Sequence, residues 1–238
     1  MTAWKEGQSM LIEYTDAMQA VKSLAFQSIP LAVTSTYKGI FLEEKVAPLK
    51  VNPDSVTFRA PRKQICATMR TPVILHSKVL PESVSAQVLY INPKAGEVCL
   101  SNFSFTGFYW RDRYEQRIEP DAPVYARLSV QQKHYRANLV NLSIHGAGLM
   151  IHLGDSMARE LTPKTRVDVS FKLSPQNEFN ISGVIASIKF LGYCLAQTGL
   201  RLEPTTSQQI WLGNYISRRK IEILNELDHQ VVGSYASL

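Results

Sequence analysis

The strongest constraint on the fold is a rhythm of short runs rich in Val, Ile, Leu and Thr, each closed by turn residues, which fall into two groups along the chain. The first group occupies residues 31–36, 39–41, 55–60, 71–77, 83–91 and 97–102, with turn signals at Asn52-Pro53-Asp54, Pro61, Pro81 and Asn92-Pro93-Lys94-Ala95-Gly96. The second occupies residues 124–130, 135–142, 147–152, 165–173, 179–190 and 194–202. Runs of this length and composition, bounded by Gly, Pro and Asn, read as antiparallel strands. The fold class is therefore mainly β, with two small β domains. Residues 1–108 form an antiparallel β domain with one helix. Residues 109–238 form a six-stranded antiparallel barrel, whose closure satisfies its edges, followed by a C-terminal helix.

Two segments depart from this rhythm. Residues 16–27 place Ala17, Val21, Leu24 and Ala25 on one side, with Met18 and Phe26 flanking, which is helical spacing and the only clear helix of the first half. After Thr205-Thr206-Ser207, any of which can cap a helix, Leu212, Ile216, Ile223 and Leu227 share one narrow arc. Arg218, Arg219 and Lys220 lie mostly off that arc, so this helix is expected to fold back on the barrel. Arg62-Lys63, flanked by proline, reads as a solvated loop. Between the two strand groups, the aromatic stretch 103–110 and the charged, aperiodic residues after it read as a connector. Tyr109, Trp110 and Tyr114 are expected to pack at the domain junction.

Composition narrows the function. The chain has 238 residues, 45% apolar and 19% charged, which is the balance of a folded protein. Its net charge of +6 is spread evenly, with 11 Lys/Arg against 8 Asp/Glu up to residue 108 and 15 against 12 beyond it. With no basic tail or block, specific nucleic-acid binding is not expected, while small anions remain suitable ligands. Cys66, Cys99 and Cys194 are odd in number and never spaced as C-x-x-C, which fits a reducing compartment and core or half-buried thiols. The longest apolar candidate, residues 183–200, is broken by Lys189 and Gln197, and the start of the chain lacks a signal-peptide pattern. A cytoplasmic protein without an integral membrane segment is the expectation.

The five histidines, His76, His134, His145, His152 and His229, show no metal-ligand spacing, so neither a metal nor another cofactor is expected. Ser143 lacks the G-x-S-x-G context of a nucleophile, and no paired carboxylates mark an acid–base site. No catalytic residue is assigned, and the chain reads as a non-enzyme.

Two short signals carry chemistry. Arg113 and Arg117 lie four apart on the connector, with Arg111 just before them, and each guanidinium offers a planar fork of donors for phosphate oxygens or a guanine edge. Asn141 and Ser143 alternate along the chain and project to one side, while Gly146 and Gly148 allow a tight turn and close backbone approach. The pair of signals describes a site for an anion carrying flat bases.

In this order and context, R-x-x-x-R at Arg113 and Arg117 followed by N-x-S-x-x-G at Asn141, Ser143 and Gly146 resembles the PilZ domain, a β-barrel family that binds cyclic di-GMP. The strand series, the run Gly199-Leu200-Arg201-Leu202 and the terminal helix extend the resemblance. The order of helix, β domain, arginine connector and barrel looks like the two-domain, YcgR-like flagellar-brake architecture. The resemblance implies that Arg113 and Arg117 hold guanine faces and phosphates, that Asn141 and Ser143 read a guanine edge and a phosphate, and that Gly146 keeps the turn open. It also implies a change of domain arrangement on nucleotide binding and a protein partner in the flagellar motor or other motility, biofilm or surface machinery. Asp112 departs from the pattern. Some family members carry a further arginine there, and a carboxylate leaves open whether one nucleotide or two bind.

Overall fold

A computed structural model describes residues 16–68, 73–107, 115–153, 161–174, 177–192 and 194–236. It is mainly β and contains two six-stranded closed antiparallel barrels. The chain divides into two compact units: Met1–Tyr37, Phe41–Arg113 and Leu227–Leu238 make the first, and Lys38–Ile40 with Tyr114–Glu226 the second.

In the first unit, α1 (Ala17–Phe26) starts at Asp16, whose side chain accepts a 2.9 Å hydrogen bond from Met18 N and so satisfies an otherwise orphaned donor. Ala17, Ala20, Val21, Leu24 and Ala25 are buried, the face expected from their spacing. Strands β1 (Leu31–Tyr37), β2 (Ile40–Val51), β3 (Ser55–Arg59), β4 (Val73–His76), β5 (Ser83–Asn92) and β6 (Glu97–Thr106) close in the order β1-β2-β3-β6-β5-β4. Leu31, Val33, Val56, Phe58, Leu75, Val98 and Leu100 fill the interior with no exposed surface.

Three expectations need correction in this unit. Residues 62–63 are not a loop but begin a second helix, α2 (Arg62–Thr68), whose Gln64, Ile65, Ala67 and Thr68 are buried. Pro61 opens it, its carbonyl accepting from Ile65 N, and a proline just before a first turn gives up no needed donor. Strand β2 runs ten residues past Phe41, although its middle is charged and exposed. Pro48 is accommodated because a register shift falls between Pro48 and Lys50, where a ladder donor is not required. Strand β6 continues to Thr106, so part of the aromatic connector is strand, with Phe103 and Phe105 packed against the core.

In the second unit, β7 (Val124–Val130), β8 (Lys133–Leu142), β9 (Gly146–His152), β10 (Arg166–Ser174), β11 (Asn177–Phe190) and β12 (Leu195–Leu202) close in the order β10-β11-β12-β9-β8-β7. Alternation is clean where it is simplest: along β7, Val124, Ala126, Leu128 and Val130 are buried while Tyr125 and Arg127 are exposed. Helix α3 (Thr206–Ala236) starts with a reciprocal cap, Gln208 N donating to Thr205 Oγ1 at 3.4 Å and Thr205 N to Gln208 Oε1 at 2.9 Å.

The buried stripe of α3 includes Leu212, Tyr215, Arg219, Ile223 and Leu227, so Arg219 is not on the solvated side as its basic neighbours suggest. Only 2% exposed, it donates from Nε to Glu119 O at 3.2 Å and from Nη1 to Glu226 at 2.7 Å and Glu222 at 3.3 Å. Burial opposes its charge, but the two glutamates outweigh burial and raise its pKa. Cys66 and Cys99 are buried, whereas Cys194 is exposed rather than half-buried. Among the described residues no helix is long and apolar enough to cross a membrane.

Candidate functional site on the outer face of the second barrel

The site starts from an isolated bridge. Ile118 N donates to Leu142 O and Leu142 N to Ile118 O, both at 2.9 Å, and both residues have no exposed surface. Two backbone hydrogen bonds and a buried apolar pair thus fasten the end of the connector to the end of β8. Arg117 is thereby delivered beside the turn that joins β8 to β9.

That turn is closed by Ser143 N donating to Gly146 O at 2.7 Å, with Ser143 Oγ donating to the same carbonyl at 3.3 Å. Just before it, the β8–β9 register shifts between Leu139 and Asn141. The bulge turns Asn141 away from the interior while Leu142 stays buried.

Gly146 and Gly148 lie on one face of β9, two residues apart, and each makes room for a polar side chain. A Cβ on Gly148 would sit 2.7 Å from Asn141 Oδ1 and 3.0 Å from Asn141 Nδ2. A Cβ on Gly146 would sit 3.0 Å from Ser143 Oγ and 3.5 Å from Arg117 Nη2. Arg117, Asn141 and Ser143 therefore converge over a floor of glycine. The floor continues across the barrel wall, because Gly199 pairs with Gly148 and Arg201 with Gly146, which puts the exposed Arg201 at its border. Gly148 works within a strand, clearing space for Asn141, rather than in the turn.

The polar groups here are only partly satisfied. Asn141 Oδ1 is buried without a hydrogen-bond partner, a state that costs roughly 1–3 kcal/mol for a neutral acceptor. Among the described residues no carboxylate pairs with the Arg117 guanidinium. One carboxylate does hold the turn: Glu115 Oε2 accepts from His145 N at 2.9 Å, and Glu115 Oε1 lies 2.5 Å from His145 Nδ1. Burial pushes the Glu115 pKa up, but the hydrogen bonds from His145 outweigh it and hold the carboxyl below its ordinary value.

Of the residues singled out in the sequence, Arg117, Asn141, Ser143, Gly146 and Gly148 come together. Arg111 and Arg113 lie outside the described residues, as do Asp112, Tyr109, Trp110 and Tyr114. Sequence reasoning assigns no role to Glu115 or Arg201, and it weighs His145 only as a metal ligand. Glu115 is hidden between the two motif arginines, and its partner is 30 residues away, so only Arg201, inside the run 199–202, carried any signal. His145 and the other histidines join no metal-binding group among the described residues.

Residues 111–218 match the family model described as PilZ domain. The second barrel is a PilZ domain. The match spans β7 to β12, the connector end that carries Arg117, and α3 as far as Arg218. No curated protein matches the sequence. Among solved structures, the chain is similar to MrkH of K. pneumonia in complex with c-di-GMP (12% identity, TM-score 0.47, covering 88% of this chain and 95% of that one). It is also similar to YcgR of Escherichia coli in complex with c-di-GMP (15%, TM-score 0.43, 90% and 93%) and to the inhibitor of motility MotI/DgrA of Bacillus subtilis (14%, TM-score 0.41, 81% and 96%). What the PilZ domain adds to these likenesses is a site with defined chemistry: a cation, a hydroxyl and an unpaired amide over a surface without side chains.

Proposed function

We propose that this protein is a receptor for cyclic di-GMP that passes nucleotide level to a protein partner and catalyses nothing. The observation that carries the reading is the convergence of Arg117, Asn141 and Ser143 over Gly146 and Gly148 in a PilZ domain. A guanidinium and a hydroxyl suit phosphate oxygens, and the unpaired acceptor Asn141 Oδ1 suits the N–H edge of a guanine. A side-chain-free floor lets a flat base lie close to backbone. Arg113 and Arg111 join the set as further cations on the connector.

In this reading residues 109–238 are the receptor domain and residues 1–108 the domain whose placement responds. Capture of the nucleotide by a connector that carries its own arginines biases the chain toward one domain arrangement, which presents or hides a protein-binding surface. The partner belongs to the flagellar motor or other machinery of motility, biofilm formation or surface behaviour, and the protein works in the cytoplasm. Isothermal titration with cyclic di-GMP tests the receptor reading and returns the stoichiometry that Asp112 leaves open. Saturable binding is expected. Folded protein that gives no binding heat at about 50 μM nucleotide, far above a micromolar dissociation constant, overturns it.

A second reading is a scaffold that keeps the barrel and works without nucleotide, favoured by Asp112, whose carboxylate beside Arg113 repels phosphate. A pull-down that retains the same partner equally with and without cyclic di-GMP supports it over the first.

A further inference from the structure

The Glu115 carboxylate has an unusual address. It belongs to the five-residue stretch that runs from one motif arginine to the other, yet it turns back onto the β8–β9 turn and takes up donors there. The donors are the backbone N–H and the ring of His145, two residues from Ser143, the serine expected to meet the ligand. A carboxylate held by a backbone N–H and an imidazole at this turn, two residues from a guanidinium, is placed as a phosphate oxygen pair would be. The contact is part-exposed, with Glu115 at 23% and His145 at 47%, so an incoming anion can reach it.

We propose that Glu115 is an internal anion that occupies the phosphate place of the turn in the free protein and must be displaced when the nucleotide binds. This deepens the receptor reading and rests on it. The contact is a tether within one chain, so it competes at all times, and only the fraction of molecules with the turn released binds nucleotide. The apparent dissociation constant is raised by the inverse of that fraction. It also sharpens selection. A lone phosphate gains the turn but must unseat Glu115, whereas cyclic di-GMP recovers the loss through Arg117 and Asn141.

The test compares the full chain with Glu115→Gln and Glu115→Ala in calorimetric titrations of cyclic di-GMP and of inorganic phosphate. Removing one charge-assisted contact is expected to tighten cyclic di-GMP binding on the order of tenfold and to let phosphate bind detectably. Unchanged or weaker nucleotide binding in both variants, with wild type binding normally, overturns the latch and leaves the receptor reading standing. No nucleotide binding by wild type or either variant overturns both. Amide hydrogen exchange supplies a readout that needs no ligand. The latch predicts slow exchange of the His145 amide in free wild type and faster exchange in Glu115→Ala. Equal exchange in the two overturns it.

Discussion

The two barrels share strand number and closure but differ in where they spend glycine. Among the described residues, no strand of the first barrel contains one; Gly39 and Gly96 sit at turns with positive φ, and Gly107 follows β6. The second barrel places Gly146 and Gly148 in β9, Gly183 in β11 and Gly199 in β12. A glycine inside a strand costs about 0.5–1 kcal/mol relative to alanine, so each of the four needs a local reason. Gly183 has a structural reason, since a Cβ there would lie 2.5 Å from Arg201 O. The glycines of β9 clear space for side chains that end in donors and acceptors.

A second contrast concerns buried amides. Gln64 in the first barrel and Asn141 in the second each keep a buried, unpartnered amide oxygen. Gln64 has no exposed surface, and its Nε2 donates to Val33 O at 3.1 Å and Ser35 Oγ at 3.0 Å, so it staples α2 to β1. Asn141 is only half-buried and lies over Gly148, beside the Gly146 position that Arg117 approaches. An orphaned acceptor marks a site only where a ligand can arrive.

Four substitutions put the contrast at risk. The largest effect is expected from Leu100→Ala in the first barrel core, which should cost about 2–5 kcal/mol in denaturant unfolding. Its nucleotide affinity should stay unchanged wherever the protein is folded. Next, Arg219→Ala should lower stability by roughly 2–4 kcal/mol, because Glu119 O, Glu222 and Glu226 lose one shared donor. A neutral result by calorimetry would return Arg219 to the solvated face. Third, Gly148→Ala pushes a methyl into the Asn141 amide, which can rotate aside. Binding should weaken about tenfold while stability shifts by less than about 1 kcal/mol. The same change at Gly96, whose Cβ would meet nothing closer than 3.6 Å, should leave binding alone and strain a left-handed turn.

The smallest effect is a pH response. Burial opposes ionisation of Glu226, but Lys38 and Arg219 outweigh it, so its carboxyl titrates below the ordinary 4.5. A depressed carboxylate adds stability above the unfolded value and loses it as pH falls through the folded one. Glu226→Gln should therefore flatten the fall in melting temperature below about pH 4.5 and change little at neutral pH. A steeper acid fall in the variant would contradict this sign.

Much of this was legible in the sequence where one residue type had one physical role. The run 124–130 reads as a strand and proves to be β7, and the apolar arc within residues 16–27 reads as a helix and proves to be α1. Legibility failed where neighbours override local character. Strand β2 runs through Glu43, Glu44 and Lys45 to residues 47–51, the part that pairs with β3, so its length is set by partners and not by its own composition. Arg219 looks like Arg218 and Lys220 until its glutamates are in place. The site behaved similarly: spacing brought Asn141, Ser143 and the glycines into view, but the Ile118–Leu142 bridge and the Glu115 contact depend on pairings that no local pattern encodes.

The central claim is that Arg117 is placed for a ligand and not for the fold. The most direct measurement is a titration of wild type and Arg117→Ala with cyclic di-GMP, each followed by a thermal melt. The account predicts saturable binding by wild type, a loss of about a hundredfold or more in the variant from removing its charge-assisted contacts, and melting temperatures nearly equal. Equal affinities, or a variant that loses its fold along with its binding, would contradict it.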